Sequence, residues 1–143
     1  MGAVEPCDTE KFMVQQNLFE RFSKEGRLRL PGREIPFGEL PWNPHQTFAG
    51  VELKHPVTGR ETGGQFSYHL VRVAPGKAIG AHVHQAQLET HEVLAGSGAC
   101  VSGGVRLDYA PGVVSILPQG ELHEVTAGPE GLCLFAKFIP ALL

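Results

Sequence analysis

From residue 47 to the C-terminus, apolar and polar residues alternate in short runs broken by glycine and proline. Alternation with a period of two marks a strand with one buried face, and Gly/Pro clusters mark its ends. The spans 47–55, 65–74, 79–84, 88–95, 98–102, 105–109, 113–117, 121–126 and 132–139 fit this pattern. In 65–74 the faces separate cleanly: Phe66, Tyr68, Leu70 and Arg72 on one side, Ser67, His69, Val71 and Val73 on the other. The breaks carry turn chemistry. Residues 56–64 hold Gly59, Gly63 and Gly64, and Pro75-Gly76, Gly103-Gly104, Pro111-Gly112 and Pro118-Gln119-Gly120 follow. Many short strands at regular spacing predict an all-β sandwich or barrel over 47–143.

Residues 1–46 differ and are expected as an N-terminal extension. The pattern over 8–25 predicts a helix, with Asp8 or Thr9 as cap and Gly26 as stop. Its apolar side chains Phe12, Leu18, Phe19 and Phe22 need cover, from the barrel's own outside or from a second subunit. Residues 27–37 predict a hairpin or edge strand around Pro31-Gly32, and Pro36, Pro41 and Pro44 make 36–46 irregular. Trp42 in that connection is expected as a packing anchor. His45 and His55, in loop and strand-end contexts, are expected at the surface.

A length of 143 residues fits one domain with a core of its own. Apolar residues make up 42% and charged ones 19%, which excludes a disordered chain. The net charge of −3 and the lack of a basic cluster beyond Arg27, Arg29 and Arg33 argue against nucleic acid as a partner. Cys7, Cys100 and Cys133 are three and scattered, so neither a disulfide framework nor a paired-cysteine zinc site is expected. The N-terminus lacks a basic segment followed by an apolar one, Pro6 spoils a myristoylation pattern, and no apolar run reaches the roughly 20 residues of a membrane helix. The expected compartment is the cytoplasm. The chain ends at Leu143 with no helix-turn-helix after the barrel, which argues against a complete transcription factor.

The stretch 76–96 carries the candidate chemistry. His82 and His84 are two apart, so in a strand both imidazoles point the same way, and Glu89 adds a carboxylate if the chain bends. Three such ligands begin a site for a divalent transition metal. His91 shares parity with Glu89 and is expected to face the interior, either handling protons or as a core histidine bonded to a neighbour. His69, on the Ser67 face of its strand, is read as a substrate contact or a barrel-wall residue. Lys137, mid-strand in an apolar run, is expected to reach solvent.

These residues resemble the cupin superfamily. The first cupin motif, G-x5-H-x-H-x4-E-x6-G, is matched by Gly76, His82, His84, Glu89 and Gly96. The second, G-x5-P-x-G-x2-H-x3-N, is matched by Gly112, Pro118, Gly120 and His123, with Ala127 in place of the final Asn. The resemblance implies a double-stranded β-helix, or jelly-roll, barrel. It also implies a metal held by His82, His84, Glu89 and His123. Fe, Mn, Ni, Cu or Zn would suit three nitrogens and one oxygen, and the ligands do not choose among them. The missing Asn is no ligand in the family and bears on turn packing. The function implied is a small metal-dependent enzyme of dioxygenase or isomerase type acting on a small organic molecule; His91 and then His69 are expected as its catalytic proton carriers from their strand faces, although the family usually has an apolar residue at the His91 position. The alternatives are a non-catalytic ligand-binding or sensing module and a structural dimer with a vestigial site. A homodimer is expected.

Overall fold

The computed structural model describes residues 17–143. Within them, helix α1 (Leu18–Glu25) starts at Asn17, whose side chain accepts a hydrogen bond from the Glu20 amide at 2.9 Å. That is the N-cap arrangement, which satisfies an amide with no partner inside the helix. The Asp8 and Thr9 caps expected from sequence, and Phe12, lie outside the described residues. Strands β1 (Arg27–Leu30) and β2 (Arg33–Pro36) form the expected hairpin around Pro31-Gly32.

Phe19 and Phe22 of α1 are covered by the chain itself, while Leu18 stays exposed. Phe19 packs on Leu70 and Phe135 of the barrel's outside, with Phe22, Trp42 and Tyr68 around them. Trp42 is the anchor expected of it: its ring lies 5.7 Å from Phe19, and the Arg72 guanidinium stacks on it at 4.0 Å. Lys54, only 3% exposed, fastens the extension from below. Its ammonium donates to the Ser23 carbonyl in the last turn of α1 at 2.8 Å and to the Phe37 carbonyl at 3.0 Å, tying the helix to the connection after β2.

The barrel consists of β3 (Asn43–Pro44), β4 (Val51–Val57), β5 (Ser67–Val73), β6 (Ala78–His82), β7 (Leu88–Ser102), β8 (Val105–Tyr109), β9 (Val114–Leu117) and β10 (His123–Ile139). A one-turn helix α2 (Gly59–Thr62), closed by a Thr58/Glu61 capping box, fills the loop after β4. All pairings are antiparallel. One sheet runs β9, first half of β7, second half of β10, β5, β4, β3; the other runs β8, second half of β7, first half of β10, β6. The two long strands pass from one sheet into the other, which makes the fold a jelly roll.

The expected strands 88–95 and 98–102 are thus one strand, and so are 121–126 and 132–139. The expected strand 47–55 begins only at Val51. The amides of Thr47 and Phe48 are bonded to the His45 ring and cannot enter a ladder. Between the sheets lies a core led by Val51, Val71, Val93, Leu117, Leu132 and Leu134, most of them fully buried. Lys137 is on the outer face, paired with Glu92 over the Tyr68 ring.

Candidate metal centre

His82 ends β6 and His123 begins β10, and the two are direct partners in the antiparallel ladder. His84 follows β6 by two residues. The turn of Pro118–Gly120 holds it, the Gly120 amide donating to the His84 carbonyl at 2.9 Å. Glu89 comes in from β7, opposite Phe138 of β10 and Leu117 of β9. Residues from three strands and a turn therefore meet, and one nitrogen or oxygen from each of His82, His84, Glu89 and His123 lies within 4.8 Å of all the others.

The backbone fixes which atoms face inward. His82 Nδ1 is bonded to the Gly80 carbonyl at 2.7 Å and His123 Nδ1 to the Glu121 carbonyl at 3.2 Å. A carbonyl only accepts, so each Nδ1 carries the proton and each neutral ring offers a bare Nε2. Glu89 is 5% exposed. Its Oε2 is 3.2 Å from His123 Nε2 and 3.5 Å from His84 Nε2. Among the described residues, neither Glu89 Oε2 nor His123 Nε2 has a hydrogen-bond partner. Buried polar atoms left without a partner are costly. A cation between them would satisfy both, so these four residues could hold a divalent metal.

The electrostatics point the same way. Burial alone would raise the Glu89 carboxyl, but His123 and His91 outweigh it and hold the group well below the usual carboxylate range. Burial lowers His84, and it would lower His123 too, but Glu89 turns that shift upward.

His91 and His69, expected as proton carriers, both lie in the interior, 2% and 0% exposed. His91 Nε2 is bonded to Glu89 Oε1 at 2.7 Å and its Nδ1 to the Tyr109 hydroxyl at 2.8 Å, which in turn meets Ser115 Oγ. His69 bonds His55 Nδ1 and Ser67 Oγ, each at 2.8 Å, and Ser67 also receives the Leu142 amide at 2.9 Å. Burial and His55 push His69 down to about 4, so it is neutral near pH 7. Tyr109, Ser115 and the partnership of His55 with His69 were not legible, since each depends on which strands become neighbours. His45 and His55 are half-buried rather than surface residues.

A cavity of about 90 Å³ opens onto the centre. Its walls include Val51, Leu53, Val71, Leu134 and Phe138, and His45 lines it beside His82 and His84.

The jelly-roll fold and the four converging residues are what the cupin resemblance implies. The Cupin_2 family model, a cupin domain, matches residues 69–135, so this part of the chain is a cupin domain. Solved structures agree in fold. A predicted oxalate decarboxylase from Thermotoga maritima is similar at 22% identity and a TM-score of 0.66, over 71% of this chain and 94% of that one. The polyketide cyclase RemF from Streptomyces resistomycificus is 20% identical with a TM-score of 0.66, covering 76% of this chain and 78% of its own. A cupin-2 domain protein of Rhodospirillum rubrum is 20% identical with a TM-score of 0.63, over 78% and 72%. No curated protein matches the sequence. No helix among the described residues is long and apolar enough to cross a membrane.

Proposed function

We propose that the chain is a metal-binding cupin enzyme of dioxygenase or isomerase type, acting on a small organic molecule. The observation that carries it is the pair of buried atoms without hydrogen-bond partners, Glu89 Oε2 and His123 Nε2, in the cluster that His82 and His84 complete. A divalent transition metal held by His82, His84, Glu89 and His123 would supply either O₂ activation or polarisation of a carbonyl or enolate, depending on the metal. The chain's own residues do the rest. The apolar walls exclude water and limit the size of the ligand. His91 holds Glu89 through Oε1 and so leaves Oε2 for the centre. The path Glu89 Oε1, His91, Tyr109 hydroxyl, Ser115 hydroxyl is continuously hydrogen-bonded, and a proton arriving at Glu89 or His91 can be passed along it. His69, locked between His55 and Ser67, backs the cavity wall at Phe138 as a neutral ring. The enzyme name carried by the predicted oxalate decarboxylase neighbour fits a small organic substrate.

The test is elemental analysis of protein purified without chelators. About one divalent transition metal per chain is expected, with strong loss in both His84→Ala and His123→Ala. Full metal content in both variants sinks the assignment. Oxygen uptake and solvent-proton exchange, measured on small carbonyl compounds with the metal-loaded protein, then separate the two reaction types. Metal and ligand binding with no turnover would make the chain a binding module.

A further inference from the structure

His45 lies in the Pro-rich connection before β4, and its surroundings fix both its place and its tautomer. Its Nδ1 accepts the backbone amides of Thr47 at 3.0 Å and Phe48 at 3.2 Å. A nitrogen that accepts two N–H groups carries no proton, so the ring hydrogen is on Nε2. The His45 amide donates to the Val51 carbonyl at 2.8 Å, and the ring lies 4.8 Å from the Phe48 ring. Phe48 is itself seated over Gly80, where a Cβ would come within 2.6 Å of the Phe48 ring. Glycine at position 80 therefore lets the 45–48 loop close over β6, with the Phe48 ring 6.2 Å from that of His82. His45 lines the inner cavity and also the outer groove with Asn43, Thr47 and His55, so it stands at the mouth. Its Nε2 has no protein partner among the described residues.

The cavity adds two constraints. Among the described residues, no Lys or Arg lines it. A divalent metal beside the Glu89 carboxylate nets one positive charge, which one anionic group neutralises. A second anionic charge would be buried among apolar walls with no cation to meet it, which is costly. The volume of about 90 Å³ is also below the roughly 150 Å³ that takes a benzene ring, so the enclosed part of a ligand has only a few heavy atoms.

We propose that His45 is a substrate-binding residue of this centre. It donates its Nε2–H to an oxygen of a small, mostly apolar oxygen compound bearing at most one negative charge. This rests on the metal-dependent reading above.

The experiment uses zinc-loaded full-length protein, acetohydroxamate as a small singly charged oxygen probe, and oxalate as a doubly charged one. Nitrogen-15 NMR of the histidine rings should find His45 in the Nε2–H form, with its Nε2 resonance moving when acetohydroxamate is added. By titration calorimetry, His45→Phe should hold as much zinc as the parent but bind acetohydroxamate about tenfold to a hundredfold more weakly, the scale of one lost hydrogen bond to a charged oxygen. Referred to its affinity for zinc in water, oxalate should bind less well than acetohydroxamate. A His45 found in the Nδ1–H form, unchanged affinity in His45→Phe, or a preference for oxalate would each overturn the proposal. If His45→Phe does not fold, the NMR of the parent still decides. Failure of the parent to take up zinc overturns both readings. Zinc uptake with unchanged probe affinity in His45→Phe overturns this one alone.

Discussion

Glu89 has two oxygens with different tasks, and the division depends on a residue that touches neither. Oε1 is taken by His91 Nε2, which turns Oε2 toward the three histidines. A neutral His91 that donates from Nε2 must accept at Nδ1, and among the described residues the Tyr109 hydroxyl is its partner there, with Ser115 behind it. Tyr109→Phe would keep the ring and remove that donor. A buried acceptor without a partner costs about 1–3 kcal/mol, and loosening the orienter of a metal ligand typically costs ten- to a hundredfold in affinity. We therefore expect Tyr109→Phe to fold, to unfold at lower temperature, and to lose zinc to a competing chelator at correspondingly lower chelator concentration. Unchanged zinc affinity with lowered stability would make Tyr109 a packing residue only. Parity along the strand placed His91 inside, because side chains alternate whatever their partner. The identity of that partner comes from the pairing of β7 with β8, where Gly98 faces Tyr109, and local pattern holds no information on it.

At the scale of elements, alternation located nearly every strand, and the merged strands share one cause. A glycine after an apolar run reads as a turn, but Gly96 is a bend inside β7, and the strand continues to Ser102 because β10 runs alongside on both sides of the bend. Gly96 has φ +75°, and a Cβ there would lie only 2.1 Å from the Gly131 carbonyl oxygen. That close approach lets β7 and β10 change sheets together, and so brings Glu89 of one sheet to His82 and His123 of the other. Gly112, at φ +95°, has open space around its Cβ position. Gly112→Ala should therefore cost only the backbone strain, about 1–3 kcal/mol, whereas Gly96→Ala should cost more because backbone must also move. Urea unfolding of the two variants measures the difference; equal losses would mean that the bend tolerates a side chain. The cupin motifs made the four converging residues legible at once. The late start of β4 was not legible, because it follows from the His45 ring taking two amides that the alternating pattern assigned to a ladder.

At the scale of the molecule, the buried histidines make stability depend on pH in a direction that can be worked out. His69 is pushed from 6.5 down to about 4, chiefly by burial. Between those values the unfolded chain binds the proton and the folded one does not, so stability rises with pH across the window. The contribution is complete above 6.5 and lost as the pH falls toward 4, about 3 kcal/mol at 1.36 kcal/mol per unit of pKa. His45, His55 and His84 are lowered as well and act with the same sign. His123 is raised, so its contribution is present below 6.5 and fades as the pH rises through its folded value. Glu89 is lowered, so its contribution is present above its ordinary value and fades only in stronger acid. His69 carries the large shift among these histidines, and it sets the sign. Metal-free protein should thus lose stability steadily from pH 6.5 to 4. In His69→Gln the loss over the same range should be about 3 kcal/mol smaller. Adding zinc should steepen the dependence in the parent, because His82, His84 and His123 must all be neutral to bind it and acid competes for the same nitrogens. Chemical unfolding at a series of pH values, with and without zinc, reads all three effects. A metal-free protein whose stability is flat or rises toward pH 4 would mean that His69 is protonated in the folded state, and the neutral His55–His69–Ser67 chain would then have to be abandoned.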